Sequence, residues 1–401
     1  MPGPAGKIGS MALLVAAQVL VLSLWFISSA TLPGMLAEAA LSPARQAALA
    51  SAVQIGFVAG ALGSAVLGLA DRFDPRRVFC GAAVGAAASN AALLVVPVGG
   101  DLAIGLRGLT GALLAGVYPV GMKIAAGWGQ RDRGLLVGLL VGALTLGSAL
   151  PHLLAGWAGA AADWRLTVQL STLAALLGAV LVLGAGLGPY HARAQRFSPR
   201  ALSLVWTDWR IRRAYGGYLG HMWELYALWA WMPVAATAAF MASMEREEAQ
   251  FLATWVTFAA IALGAPSAVA AGWVAGRWGK ANVALAAMGA SLLAGLLTVA
   301  SFGGPWGLTA GLFILWGIAV IPDSAQFSAL VADAAPPELA GSLMTLQTAL
   351  GFLLTFGTVQ LAPVLAGALG WQAVLAALAL GPAMGIWAMW RLREGRSQPL
   401  G

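Results

Sequence analysis

The 401-residue chain predicts an all-α membrane protein, with twelve transmembrane helices in two pseudo-symmetric six-helix bundles. Three observations lead there. First, 60% of the residues are hydrophobic and only 9% are charged, whereas a soluble domain carries about 25% charged residues to cover its surface. Second, the apolar residues fall into twelve runs, each near the ~20 residues a helix needs to cross ~30 Å of hydrocarbon. Third, Lys and Arg alternate between loops as cytoplasmic and external loops do.

In chain order the runs lie near 11–33, 46–70, 78–98, 102–124, 134–157 and 166–188, then 214–241, 249–275, 281–302, 305–331, 340–366 and 370–390. A β-barrel would alternate apolar and polar residues in short strands, but Leu135 to Leu150 shows no such alternation, with Thr145 and Ser148 its only polar residues. Met1–Ser10 is short and weakly charged, and the run after it exceeds a signal-peptide core, so it is read as a retained first helix.

With a cytoplasmic N-terminus, all but four of the 22 basic residues lie on the inside; the four are Arg45, Arg107, Arg165 and Arg246. Both termini are therefore expected in the cytoplasm, with the chain multi-pass in the plasma (inner) membrane. The net charge of +7 is scattered over short loops, which suits anionic membrane lipid and not nucleic acid. One cysteine, Cys80, excludes disulfides and Cys-based metal centres.

The longest polar connection, Pro189 to Arg213, holds six arginines and two prolines. It divides an N-terminal bundle (1–188) from a C-terminal bundle (214–401), with 189–213 as a basic cytoplasmic linker. A shift of 205 residues lays Arg72 on Arg277, and a shift of 203 lays Pro119 on Pro322. Matching features at nearly one offset point to an internal duplication, a common transporter device.

The loop Gly68-Leu-Ala-Asp71-Arg72-Phe-Asp-Pro-Arg76-Arg77 between helices 2 and 3 resembles the signature loop of the major facilitator superfamily. Its second copy, Gly272-Trp-Val-Ala-Gly276-Arg277, has glycine where the acid belongs. Arg107-Gly-Leu-Thr-Gly111 in helix 4 resembles the family's second motif. The resemblance covers the whole chain and implies a secondary transporter whose helices 1, 4, 7 and 10 line a central cavity. It also implies that Asp71, Arg72 and Arg76 gate the cytoplasmic side. A carboxylate such as Asp71 can bond a facing helix N-terminus and pair with an Arg, and both bonds break when that face opens.

Ionisable residues deep in lipid cost ~2.5–3.5 kcal/mol each, so they mark pathways or pairs. The candidates for substrate binding or proton coupling are Arg107 and Tyr118 in helix 4 and His152 in helix 5. Helix 7 adds His221, Glu224 and Trp231, and helix 10 adds Trp316, Asp323 and Gln326. His221 and Glu224 stand three apart and are expected to share a proton. Pro119 and Pro322 are expected to bend their helices as part of the gate. Gly134, Gly138 and Gly142 in helix 5 allow a close helix approach.

The sequence thus points to a transporter of a small solute, an organic anion or metabolite, coupled to protons by alternating access. The alternative is a proton-driven exporter of cationic or amphipathic compounds. However, the stretch Gly147-Ser-Ala-Leu-Pro151-His152 departs from the Gly-Pro pattern of the superfamily's drug exporters. No Gly-x-Ser-x-Gly, His-Glu-x-x-His or Gly-Lys-Ser/Thr motif occurs, so neither an enzyme nor a cofactor is expected. The partners expected are a small-molecule substrate, protons and lipid, for a monomer.

Overall fold

The structure, a computed structural model, describes residues 6–68, 72–129, 132–158, 163–191 and 198–392. Among these residues there is helix and loop but no strand. The first bundle consists of Lys7–Glu38 (α1), Pro43–Leu67 (α2), Pro75–Leu94 (α3), Asp101–Ala126 (α4), Arg133–Ala158 (α5) and Trp164–Gly184 (α6). The second consists of Trp209–Phe240 (α7), Arg246–Trp278 (α8), Lys280–Ser301 (α9), Trp306–Ala334 (α10), 337–369 (α11) and 371–389 (α12). A short helix, Ala201–Thr207, precedes α7.

Local signals set the ends. Ser42, Asp74, Asp163 and Asp208 each accept a backbone N–H in the first turn of the helix they precede, which satisfies donors the helix cannot. Pro43 and Pro75 follow their caps, where a missing N–H costs nothing. Gly68 ends α2 at φ 61°, and Gly370 separates α11 from α12 at φ 83°, left-handed conformations that glycine adopts without penalty. Helix α7 starts at Trp209, five residues before the apolar run suggested, because Asp208 caps it by accepting from Arg210 and Ile211. Arg210, Arg212 and Arg213 therefore ride on the helix, and Arg213 reaches the Ala388 carbonyl at 2.9 Å.

Lipid tails are as apolar as leucine, so helices associate by close packing rather than by the hydrophobic effect. Small residues provide it. Gly56 and Gly60 of α2 meet the Gly108 and Ala112 carbonyls of α4, and a side chain at either glycine would collide with that backbone. Gly264 and Gly317 bring α8 against α10 in the same way. Gly178 crosses α1 at Ala17, and Gly381 crosses α7 at Gly220. Ala17 to Gly220 and Gly178 to Gly381 are both offsets of 203, that of Pro119 and Pro322. The duplication is thus visible in the packing.

Three helices are interrupted in mid-membrane. Helix α1 breaks into a turn between Leu22 and Ile27, α4 between Leu114 and Tyr118, and α10 between Ala319 and Ser324. Pro119 and Pro322 remove the N–H that would bond the carbonyl four residues back. For Pro322 that carbonyl is Ile318, and Ser267 of α8 donates to it at 2.9 Å. Pro363 frees the Val359 carbonyl likewise, and the Trp231 indole donates to it at 3.0 Å.

The bundles touch along two seams, α5 with α8 and α2 with α11. Toward the face that carries Lys7 and the 198–208 segment, Gly134, Gly138 and Gly142 lie on the backbone of Gly272, Ala268 and Ala265. Toward the opposite face, Gln360 donates to Ser51 Oγ at 2.9 Å and Ser29 Oγ donates to the Ala230 carbonyl at 2.5 Å.

Candidate functional site

Midway between those faces the bundles meet through aromatic rings. Trp25, Phe26 and Phe57 come from the first bundle; Tyr226, Trp229 and Phe352 come from the second. Across the boundary, Phe57 and Phe352 have centroids 4.8 Å apart, Trp25 and Phe352 5.3 Å, and Trp25 and Tyr226 5.7 Å. Such spacings are those at which ring quadrupoles attract. The α1 break makes this possible, because it turns both Trp25 and Phe26 into the boundary.

Arg107 stands against that break. Its side chain is 1% exposed, and Nη2 donates to the Trp25 carbonyl at 2.7 Å. Its Nε and Nη1 have no partner among the described residues, nor do the buried indole N–H groups of Trp25 and Trp229. More than 90% of buried polar groups in native proteins are satisfied. Arg107 and Trp25 are joined through the Trp25 carbonyl, and Trp25 and Trp229 both belong to the ring boundary, so these donors are candidates to meet an acceptor there.

In the second bundle the polar groups sort differently. Glu224 accepts from Ser291 Oγ at 2.8 Å and from Trp316 Nε1 at 3.1 Å, so each carboxylate oxygen has a donor. His221 does not share with Glu224 as its spacing suggests. Its Nδ1 lies 2.9 Å from Asp323 Oδ1 instead, with neither atom in an aligned hydrogen bond. Three residues of helix turn through ~300°, which leaves the two side chains ~60° apart. Glu224 therefore points between α9 and α10 while His221 meets the α10 break. Asp323 sits in that break, as the residue preceding Ser324–Ala334, rather than within a regular helix.

The other expected residues disperse. Trp231 donates to Val359 and packs on Trp371 at 5.6 Å, a structural duty. Trp316 serves Glu224 and Ser291. Gln326 is buried one turn beyond Asp323. Tyr118 starts the second half of α4, half-buried, beside an exposed Pro119. His152 is buried on α5 with both ring nitrogens unpartnered. At the expected gate, Arg72 is exposed. Arg76 pairs with Asp74 at 2.6 Å and reaches the Ala185 carbonyl just past the end of α6, so it braces its own bundle here. Asp71 lies outside the described residues.

Sequence reasoning passed over Trp25, Phe57, Trp229 and Ser291. A usable signal existed for the tryptophans. Interfacial anchors sit near helix ends, whereas Trp25 is near the middle of Lys7–Glu38. Ser291 offered no signal, since one serine in an apolar helix usually bonds its own backbone. No group of three or more His, Cys, Asp or Glu able to hold a metal ion occurs among the described residues.

Comparison with known proteins follows this geometry. The family model described as Major Facilitator Superfamily matches residues 14–359. No curated protein sequence matches the chain. Among solved structures, the chain is similar to a bacterial homologue of the human lysosomal transporter Spinster in an inward-facing, unoccupied conformation. The TM-score is 0.74 at 12% identity, covering 99% of this chain and 100% of that one. A proton:xylose symporter aligns at TM-score 0.70 and 11% identity, covering 96% and 95%. The human organic anion transporter MFSD10 aligns at 0.70 and 15%, covering 96% and 100%. The broken helices meeting between two duplicated bundles and the family match lead to one conclusion: this multi-pass membrane protein belongs to the major facilitator superfamily, a family of transporters and not of enzymes.

Proposed function

We propose that the protein is a secondary active transporter that carries a small organic anion together with a proton, by alternating access between its bundles. The observation that carries the reading is Arg107, a fully buried cation beside the ring boundary whose Nε and Nη1 have no partner among the described residues. An oxyanion supplies what those donors lack, and charge-assisted bonds of that kind are about twice as strong as neutral ones. Among the solved neighbours are an organic anion transporter and a proton:xylose symporter; at their identities they share the fold and leave the cargo open.

The contact pattern supports a rocking motion. Lys7–Asp132, Arg45–Asp101 and Arg165–Glu38 pair within the first bundle, and Lys280–Asp333 within the second. Each bundle is thereby braced as a body. The seams between bundles hold glycine contacts on one side and two hydrogen bonds on the other. On the second side each hydrogen bond costs about 1 kcal/mol to break, and the ring contacts between the bundles add to that.

His221 and Asp323 are the proton-coupling pair in this reading, with Glu224 beside them as a structural clasp. One proton moving with a monoanion makes the cycle electroneutral. The orientation proposed has both termini in the cytoplasm, in the inner membrane, with the protein working as a monomer.

The test uses purified protein in liposomes with an imposed pH gradient and a panel of labelled organic anions, cations and sugars. Gradient-driven accumulation of an anion, insensitive to membrane potential, is the expected result. Accumulation of a cation alone would replace this reading with the exporter one.

A further inference from the structure

The ring boundary carries information about the cargo itself. Five ring pairs span the two bundles: Trp25 with Tyr226 and Phe352, Phe26 with Tyr226 and Trp229, and Phe57 with Phe352. Every one of them is lost when the bundles separate to admit a solute. A solute that presents a ring of its own restores those contacts, whereas a saturated one of equal size restores area but not the quadrupole attraction.

The polarity is one-sided as well. The unpartnered polar atoms of Trp25, Trp229 and Arg107 are all N–H donors. A sugar or nucleoside brings hydroxyl or amino donors that need acceptors. Of the two buried acids of the second bundle, Glu224 is occupied by Ser291 and Trp316, and Asp323 faces His221. A cation placed beside the buried Arg107 would be repelled by it. What fits is an acceptor-only head on an apolar, planar body.

We propose that the cargo class is an aromatic monocarboxylate, or an aromatic body with an equivalent single oxyanion, its ring inserted among Trp25, Phe57, Tyr226 and Phe352 and its oxyanion on the free N–H groups of Arg107. This rests on the reading of the bundle boundary as the substrate site. When the head binds, Arg107 keeps its bond to the Trp25 carbonyl through Nη2 and offers Nη1 and Nε. The same residue then ties the α1 break to the bound anion, so that occupancy is felt at the hinge of α1.

The experiment measures binding of four probes to the full-length protein in detergent, by thermal stabilisation and tryptophan quenching. The probes are benzoate, 2-naphthoate, cyclohexanecarboxylate and benzylammonium. Benzoate and 2-naphthoate should bind at least ~10-fold more tightly than cyclohexanecarboxylate, a difference of about 1.4 kcal/mol. Phe57→Leu, which keeps apolar volume but removes a ring, should bring that ratio within about 2-fold without weakening cyclohexanecarboxylate. Arg107→Gln should lose both carboxylates; if it does not fold, the Phe57→Leu ratio decides alone. Equal affinity for benzoate and cyclohexanecarboxylate would overturn the aromatic class and leave anion transport standing. Binding of benzylammonium with no carboxylate bound would overturn both. No binding of any probe would overturn the aromatic class, while the pH-gradient uptake assay judges transport separately.

Discussion

The two bundles treat their buried charges in opposite ways. In the N-terminal bundle Arg107 makes one bond among the described residues, to the Trp25 carbonyl, and leaves two nitrogens, Nε and Nη1, without partners there. In the C-terminal bundle Glu224 is equally buried, yet both its oxygens accept from Ser291 and Trp316. Burial depth is the same and satisfaction is not. A satisfied buried charge holds helices together, because removing a partner leaves a costly orphan. An unsatisfied one holds nothing together through its free donors, and in the proposed reading those donors serve the solute.

The strongest way to break this comparison is to remove the open charge. Arg107→Gln is expected to reduce transport about 100-fold, the loss of a charge-assisted bond worth ~3 kcal/mol, while the protein still folds and inserts. Uptake near the wild-type rate in a folded Arg107→Gln protein would sink the anion reading.

A paired experiment on the other bundle comes next. Asp323→Asn should keep solute exchange and lose accumulation against a gradient. Glu224→Gln should stay coupled but be less stable by about 1–3 kcal/mol, since the new amide turns a donor toward Ser291 or Trp316. Should Glu224→Gln uncouple and Asp323→Asn not, the clasp and the coupling residue exchange places.

A smaller effect is expected at the α10 break. Pro322→Ala restores an N–H for the Ile318 carbonyl that Ser267 now serves, which stiffens the helix. Turnover should fall several-fold with affinity unchanged; a fall in affinity alone would make Pro322 a shaper of the site and not a hinge.

The smallest effect concerns the α2–α3 loop. The Arg76 side chain bonded to Asp74 holds that carboxyl below its ordinary range, and Asp74 also caps α3 through the Arg76 N–H. A lowered folded-state value means the contribution is whole above the unfolded value near 3.9 and fades as pH falls through the lower one. Asp74→Ala should therefore cost about 1 kcal/mol at neutral pH, and its gap to the wild type should close below about pH 4. A gap that is constant down to pH 2 would mean that Asp74 contributes by shape and not by charge.

Much of the architecture was legible from the chain, for local reasons. Apolar length set the spans, Gly and Pro set breaks and ends, and the 203-residue offset exposed the duplication. The start of α7 was not, because Arg210, Arg212 and Arg213 in its first turns read as part of the basic linker, although the helix continues through them. The site was legible only as an inventory. Arg107, His221, Glu224 and Asp323 stood out because charge in lipid is rare, but their partners lie on other helices. Ser291 is 67 residues from Glu224, and Trp25 is 82 from Arg107.

By itself, then, the sequence determined that the chain spans a membrane as twelve helices in two bundles, and which ionisable groups lie inside the helices. Those properties follow from length, periodicity and composition along one helix at a time. The tertiary structure decided that His221 meets Asp323 and not Glu224, that Glu224 is closed off, and that six aromatic rings join the halves beside an unsatisfied Arg107. These depend on helix rotation and crossing. A few tens of degrees, set by where glycines let backbones touch, decide which neighbour a side chain finds.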